Sequence, residues 1–175
     1  MNTSNYYILR HGETFATSTK TNYGNDFLTA DIIPEGIPSI IKIGEFLRNV
    51  KSDYNISSKI KRCIETSKIV SDITGFKFSY DERLNDALFD LKTQHLITEP
   101  FENFNKRINS FYEEIQGKNY KNIVICTHGC VIAALKSLIL ENKLEEIDLL
   151  KFPKPGVLTI IRDNKKIEEI DFNQT

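Results

Sequence analysis

Two short stretches of this chain set a histidine among residues that handle anions. One reads Arg10-His11-Gly12 and follows the apolar run Tyr6-Tyr7-Ile8-Leu9. The other reads Thr127-His128-Gly129 and follows Ile123-Val124-Ile125-Cys126. An imidazole can attack as a nucleophile, carry a proton or donate a hydrogen bond. A guanidinium offers paired donors that match the oxygens of phosphate or carboxylate. Each histidine is followed by glycine, which lets backbone amides come close to a ligand. Gly129 also precedes a run with helical spacing, and the free N–H groups of a helix start favour negative charge. In open α/β sheets, ligands bind outside the carboxyl ends of strands. A lone histidine there is more often structural, but two in one context, one of them preceded by arginine, point to an anion site.

The elements that must position these residues show in the apolar pattern. Short apolar runs alternate with longer helical ones, which predicts an α/β sandwich. Tyr6 to Leu9 predicts a strand ending at Arg10. Ile40, Ile41, Gly44, Leu47 and Val50 predict a helix from Ile37, opened by Pro34 or Pro38. Ile60, Cys63, Ile64, Ser67, Val70 and Ile73 predict another, with Ser58 as its cap and Gly75 as its stop. Phe101, Phe104, Ile108, Phe111 and Ile115 predict a third, closed by Gly117. Ile123 to Cys126 reads as a buried central strand, and Val131, Ile132, Leu135, Leu138 and Ile139 as the helix after it. Val157 to Arg162 and Lys165 to Phe172 flank Asp163-Asn164, a two-residue turn that predicts an edge hairpin. These stripes are core. There is no repeat, low-complexity tract or linker, so residues 1–175 read as a single domain.

Composition narrows the class. The 175 residues are 40% hydrophobic and 27% charged, with net charge −1, as expected of a globular protein. That balance argues against a nucleic-acid partner held by bulk charge. No apolar stretch nears the ~20 residues that span a bilayer. Met1-Asn2-Thr3-Ser4-Asn5 has neither the basic nor the apolar region of a signal peptide, so a cytoplasmic protein is expected. Cys63, Cys126 and Cys130, an odd number, fit a reducing compartment. Cys126 and Cys130 flank His128 in the manner of metal ligands, but no second cluster completes a zinc set. Neither metal nor cofactor is expected.

Arg10-His11-Gly12-Glu13-Thr14 resembles the signature of the histidine phosphatase superfamily, which includes the cofactor-dependent phosphoglycerate mutases. Further blocks follow in that family's order. Gly24 comes after the first loop, and Ile32 to Gly36 with Gly44-Glu45-Phe46-Leu47-Arg48 resembles the first helix. Ser57 to Ser67 is similar to the Ser-Ser-x-x-x-Arg-x-x-x-Thr block, Arg83-Leu84-Asn85-Asp86 to the Leu-x-Glu block, and Thr127 to Ile132 to the second histidine motif. The resemblance implies a three-layer α/β/α sandwich with a mostly parallel central sheet and a minimal cap. It also implies His11 as nucleophile, Arg10, Arg62, His128 and Gly129 holding phosphate, and Asp86 as general acid.

The departures shape the expected activity. Asp86 is one methylene shorter than the family's glutamate, with Glu82 and Asp90 as nearby alternatives. Thr17 and Thr21 stand where the mutases carry asparagine and arginine, and Lys20 offers a partial substitute. The segment from Asp86 to Phe101 is too short for a mutase-sized cap, so hydrolysis is expected rather than phosphoryl retention. His95, in that segment, reads as a solvent-facing loop histidine. The expected activity is a metal-independent phosphatase acting on a phosphorylated small molecule. The alternatives are a phosphohistidine protein as substrate or, in another class, a phosphate-binding module without turnover. The sequence leaves the oligomeric state open.

Overall fold

In the computed structural model, which describes residues 4–173, the elements run in this order: β1 (Asn5–Arg10), α1 (Phe15–Thr19), α2 (Ile37–Leu47), β2 (Tyr54–Ser57), α3 (Lys61–Thr74), β3 (Ser79–Tyr80), β4 (Phe89–Asp90), β5 (His95–Leu96), α4 (Phe101–Gln116), β6 (Asn122–Thr127), α5 (Gly129–Glu141), β7 (Val157–Ile161) and β8 (Ile167–Asp171). The main sheet has the order β3-β2-β6-β1-β7-β8. Its first four strands are parallel, and β7 and β8 each run antiparallel to the neighbour before them.

Successive strand residues point to opposite faces, and this period decides the layers. Tyr6, Ile8, Ile123 and Ile125 face one way, into a core with Phe104, Ile108 and Phe111 of α4 and Val131, Leu135 and Leu138 of α5. Tyr7, Leu9, Val124 and Cys126 face the other way, onto Ile40, Ile43 and Leu47 of α2 and Cys63 and Val70 of α3. The result is a three-layer α/β/α sandwich. Ile8 and Phe104 are fully buried, so truncating either to alanine should cost about 2–5 kcal/mol.

Local signals explain the boundaries. Both prolines act at the start of α2: Pro34 opens a 3₁₀ turn to Gly36, and Pro38 sits in the first helical turn. Gly75 ends α3 with φ 78°, in the left-handed region that glycine enters freely. Ser58 is not the cap expected for α3, because that position belongs to Ile60, whose side chain makes no capping bond. The C-terminal hairpin also differs from expectation. Arg162 N–H bonds to Lys166 O and Lys165 N–H to Arg162 O, so the loop is Asp163, Asn164 and Lys165, with Lys165 left-handed at φ 62°. Of the hairpin's two strands only β8 lies at a sheet edge, since β7 is buried between β1 and β8. β4 and β5 form a separate two-stranded ribbon, and this small cap is the extra structure between Asp86 and α4.

Candidate active site

The carboxyl ends of the parallel strands deliver the candidate residues to one place. In the register of β1 on β6, Arg10 lies opposite Thr127, and His11 N–H bonds to Thr127 O at 2.9 Å. His11 and His128 therefore leave adjacent strands at the same level, with ring centroids 5.2 Å apart. On the other side of β6, Ser57 pairs with Cys126 and Ser58 N–H bonds to Cys126 O at 3.0 Å. The chain then enters α3, whose first turn carries Arg62. After β3, the 3₁₀ turn Glu82–Leu84 leads to Asn85 and Asp86. Arg107 of α4 holds that loop, donating to the carbonyls of Arg83 at 2.6 Å and Asn85 at 2.8 Å.

His11 Nδ1 lies 2.8 Å from Gly12 O. A carbonyl only accepts, so Nδ1 carries the hydrogen and the neutral ring keeps a lone pair on Nε2. Gly12 N–H bonds to Thr66 Oγ1 at 2.8 Å, and that hydroxyl donates to Arg62 O at 2.7 Å, which ties the histidine loop to α3. Burial holds the His11 pKa well below its ordinary 6.5, and the charges of Arg10, His128 and Arg62 push the same way.

Arg62 is fully buried. It donates to Phe27 O and, at 2.8 Å, to Asp86 Oδ2, with its guanidinium 4.1 Å from the Tyr23 ring centroid. Arg10 donates to Pro153 O at 2.9 Å and packs on the Phe152 ring at 5.4 Å. Gly129 makes room for that packing. A Cβ there would sit 3.1 Å from Phe152 Cδ2 and 3.3 Å from Arg10 Cζ. His128 Nε2 is 2.8 Å from Ser58 Oγ, and Asp86 Oδ2 stands 3.5 Å from its Nδ1.

Buried polar atoms are nearly always paired. Among the described residues, five buried side-chain atoms lack a hydrogen-bond partner, and four of them are Arg10 Nε, His11 Nε2, Arg62 Nε and His128 Nδ1. They are three nitrogens able to donate, His128 Nδ1 when protonated, and one nucleophilic lone pair, gathered at the ends of three strands. A cavity of ≈ 450 Å³ adjoins them, lined by Arg10, Tyr23, Asp86, Gly129, Phe152 and Lys20, among others. His11, Arg62 and His128 expose no surface.

The remaining expectations divide. Asp86 is the carboxylate that enters the cluster, whereas Glu82 pairs with Lys59 at 3.2 Å and Asp90 accepts from Lys92 N–H at 2.8 Å. Thr17, Lys20 and Thr21 do line the cavity. His95 is exposed, as expected, but lies on β5 with Nδ1 3.0 Å from Glu146 Oε2. Cys126 and Cys130 point into opposite cores. Among the described residues, no three His, Cys, Asp or Glu side chains converge as a metal set. No helix there is long and apolar enough to cross a membrane. Sequence reasoning missed Phe27, Phe152 and Arg107, whose contacts are tertiary. It read Ser58 as the cap of α3, whereas its hydroxyl accepts from Ile60 N–H and also meets His128.

The fold is that of the histidine phosphatases. The model of the histidine phosphatase superfamily (branch 1) matches residues 6–95 and 89–175, and the chain belongs to that family. It is 24% identical over 194 aligned positions to a candidate phosphoserine phosphatase 2 of Hydrogenobacter thermophilus, covering 96% of this chain and 94% of that protein. Among solved structures, the α-ribazole phosphatase of Shigella flexneri is similar with a TM-score of 0.73 and 19% identity, covering 97% of this chain and 96% of the other. A mycobacterial glucosyl-3-phosphoglycerate phosphatase is similar with a TM-score of 0.71 and 18% identity, covering 98% and 99%.

Proposed function

We propose that the chain hydrolyses small phosphomonoesters through a phosphohistidine on His11. The observation that carries the proposal is the group of partnerless buried atoms. A lone pair at His11 Nε2 is set among donors at Arg10, Arg62 and His128. A phosphomonoester brings about −1.5 to −2 charges, and two guanidiniums with a protonated His128 match that charge. Fixed donors around the transferring phosphoryl group are the main catalytic resource for this reaction.

Before substrate arrives, Asp86 serves as the anionic partner of Arg62. An incoming phosphate takes over those donors, and the freed Asp86 carboxylate takes up a proton, from the ester monoanion or from solvent. The carboxyl then protonates the leaving oxygen as His11 Nε2 bonds to phosphorus. In the second half, Asp86 takes a proton from the water that attacks the phosphohistidine. Positive charge at the phosphoryl group comes from side chains, so no step calls for a metal ion.

Relatives named as phosphatases support hydrolysis, and the small β4–β5 cap supports it over phosphoryl retention. A ≈ 450 Å³ cavity beside fully buried histidines suits a metabolite-sized ester better than a protein side chain. Three buried thiols, none in a disulfide, support a cytoplasmic setting.

The test is hydrolysis of an activated aryl phosphate by wild type and His11→Ala, with a chelator present throughout. Turnover that survives chelation and disappears with His11 supports the proposal. Loss on chelation contradicts it, and tight phosphate binding without wild-type turnover would indicate the binding module instead.

A further inference from the structure

A run of hydrogen bonds behind His128 has its direction set by a backbone amide. Lys59 N–H donates to Asn85 Oδ1 at 3.0 Å, which fixes that amide's orientation, since its NH₂ would face another donor. Asn85 Oδ1 can then only accept, so Ser58 Oγ, 2.9 Å away, spends its one hydrogen on it. Ile60 N–H donates to the same hydroxyl at 3.2 Å, and His128 Nε2 approaches it at 2.8 Å. With its hydrogen already committed, Ser58 Oγ can only accept from Nε2. Cys63 Sγ lies 3.4 Å from the same nitrogen and is a weaker partner for the same N–H.

From this chain of constraints we infer that Ser58 and Asn85 are positioning residues that lock neutral His128 with its proton on Nε2, so that a hydrogen at Nδ1, the atom facing the phosphate site, is an additional proton, with Asp86 Oδ2 3.5 Å away. His11 is locked in the opposite sense, with its proton on Nδ1 towards Gly12 O. The nucleophile thus presents a lone pair, and its neighbour offers a hydrogen only while the extra proton is present. This assignment rests on the proposed phosphatase chemistry for its consequence, though not for its geometry. As the ester P–O bond breaks, its electron pair stays on the leaving oxygen, which takes the proton that Asp86 carries, while the extra proton stays on His128 Nδ1 as a donor to the phosphoryl group. Hydrolysis of the phosphohistidine returns a proton from the attacking water. The ionisable groups around His128 are Asp86 from the loop after β3, Arg62 and Cys63 from α3, and His11 with Arg10 from the loop after β1.

Long-range ¹H–¹⁵N correlation of the imidazole rings in the ¹⁵N-labelled protein reads the tautomers directly, whether or not the enzyme turns over. At alkaline pH the wild type should show His128 protonated on Nε2 and His11 protonated on Nδ1. Asn85→Leu frees the Ser58 hydroxyl to donate, and His128 should shift towards the Nδ1–H form. Asn85→Asp, which still only accepts, should keep Nε2–H. For an activated aryl ester, the alkaline loss of kcat in wild type should persist in Asn85→Asp and flatten in Asn85→Leu. Wild-type His128 protonated on Nδ1, or a tautomer identical in all three proteins, would overturn the inference while leaving the phosphatase proposal standing. The expected tautomers with no turnover would do the reverse.

Discussion

Asp86 Oδ2 accepts from Arg62 Nη2 at 2.8 Å, and the pair is almost sealed from water: the Arg62 side chain is 0% exposed and that of Asp86 10%. The guanidinium that should hold phosphate is therefore neutralised by the carboxyl that should act as acid. Substrate charge must displace the carboxylate before either side chain can perform its task.

Leaving-group dependence tests that arrangement. Asp86→Asn keeps the shape but cannot give a proton. Esters with poor leaving groups should slow by about 10²–10⁴-fold, the usual worth of acid–base help. Activated aryl esters should change far less. Equal slowing of both ester types, in a comparison of kcat across leaving groups, would move the acid role elsewhere.

Arg62→Lys keeps the charge and loses the planar donor fork and its stacking on Tyr23. A fall in kcat of about 10²–10³-fold is expected, the scale of losing one oxyanion donor. Steady-state kinetics on the aryl ester reads it, and activity within a few-fold of wild type would count against a phosphoryl role for Arg62.

Gly129→Ala would place a methyl 3.1 Å from Phe152 and 3.3 Å from Arg10. The Arg10 guanidinium must shift, so KM should rise, while overpacking costs about 1–3 kcal/mol of stability. Kinetics and thermal melts together check this, and an unchanged KM would show that Arg10 does not hold substrate.

Stability should carry the mark of His11. Its pKa lies well below 6.5 in the fold, chiefly through burial. The unfolded chain therefore takes up this proton first as pH falls. The neutral ring's contribution is complete above 6.5 and is lost as pH drops from 6.5 towards the depressed folded value. Urea melts across that window should show a steeper decline in wild type than in His11→Gln, and parallel declines would contradict the assignment.

Much of this was legible in the residues themselves. The four long helices and the strands bearing His11 and His128 followed from apolar spacing, because their buried faces are nearly all aliphatic or aromatic. β2 gave little sign. Tyr54-Asn55-Ile56-Ser57 mixes polar and apolar side chains, yet it pairs with central β6 and leads to Ser58 and Arg62. The candidate catalytic residues stood out because each lies at a strand end or in an ordered block. Phe152 and Arg107 did not, since their roles arise from a loop and a helix distant in sequence that fold against the site. Ser58 was misread for a related reason: a serine just before a helix suits capping equally well, and the presence of Asn85 beside it is a tertiary fact.

The central claim is that phosphate passes onto His11 and nowhere else. The most direct measurement is rapid quenching of the enzyme during turnover of a labelled aryl phosphate, followed by peptide mass analysis under alkaline conditions that preserve phosphohistidine. Acid-labile, alkali-stable phosphate is expected on the peptide bearing His11 and is expected to be absent from His11→Ala. Phosphate found on His128 or on a carboxylate, or equal turnover by His11→Ala, would contradict it.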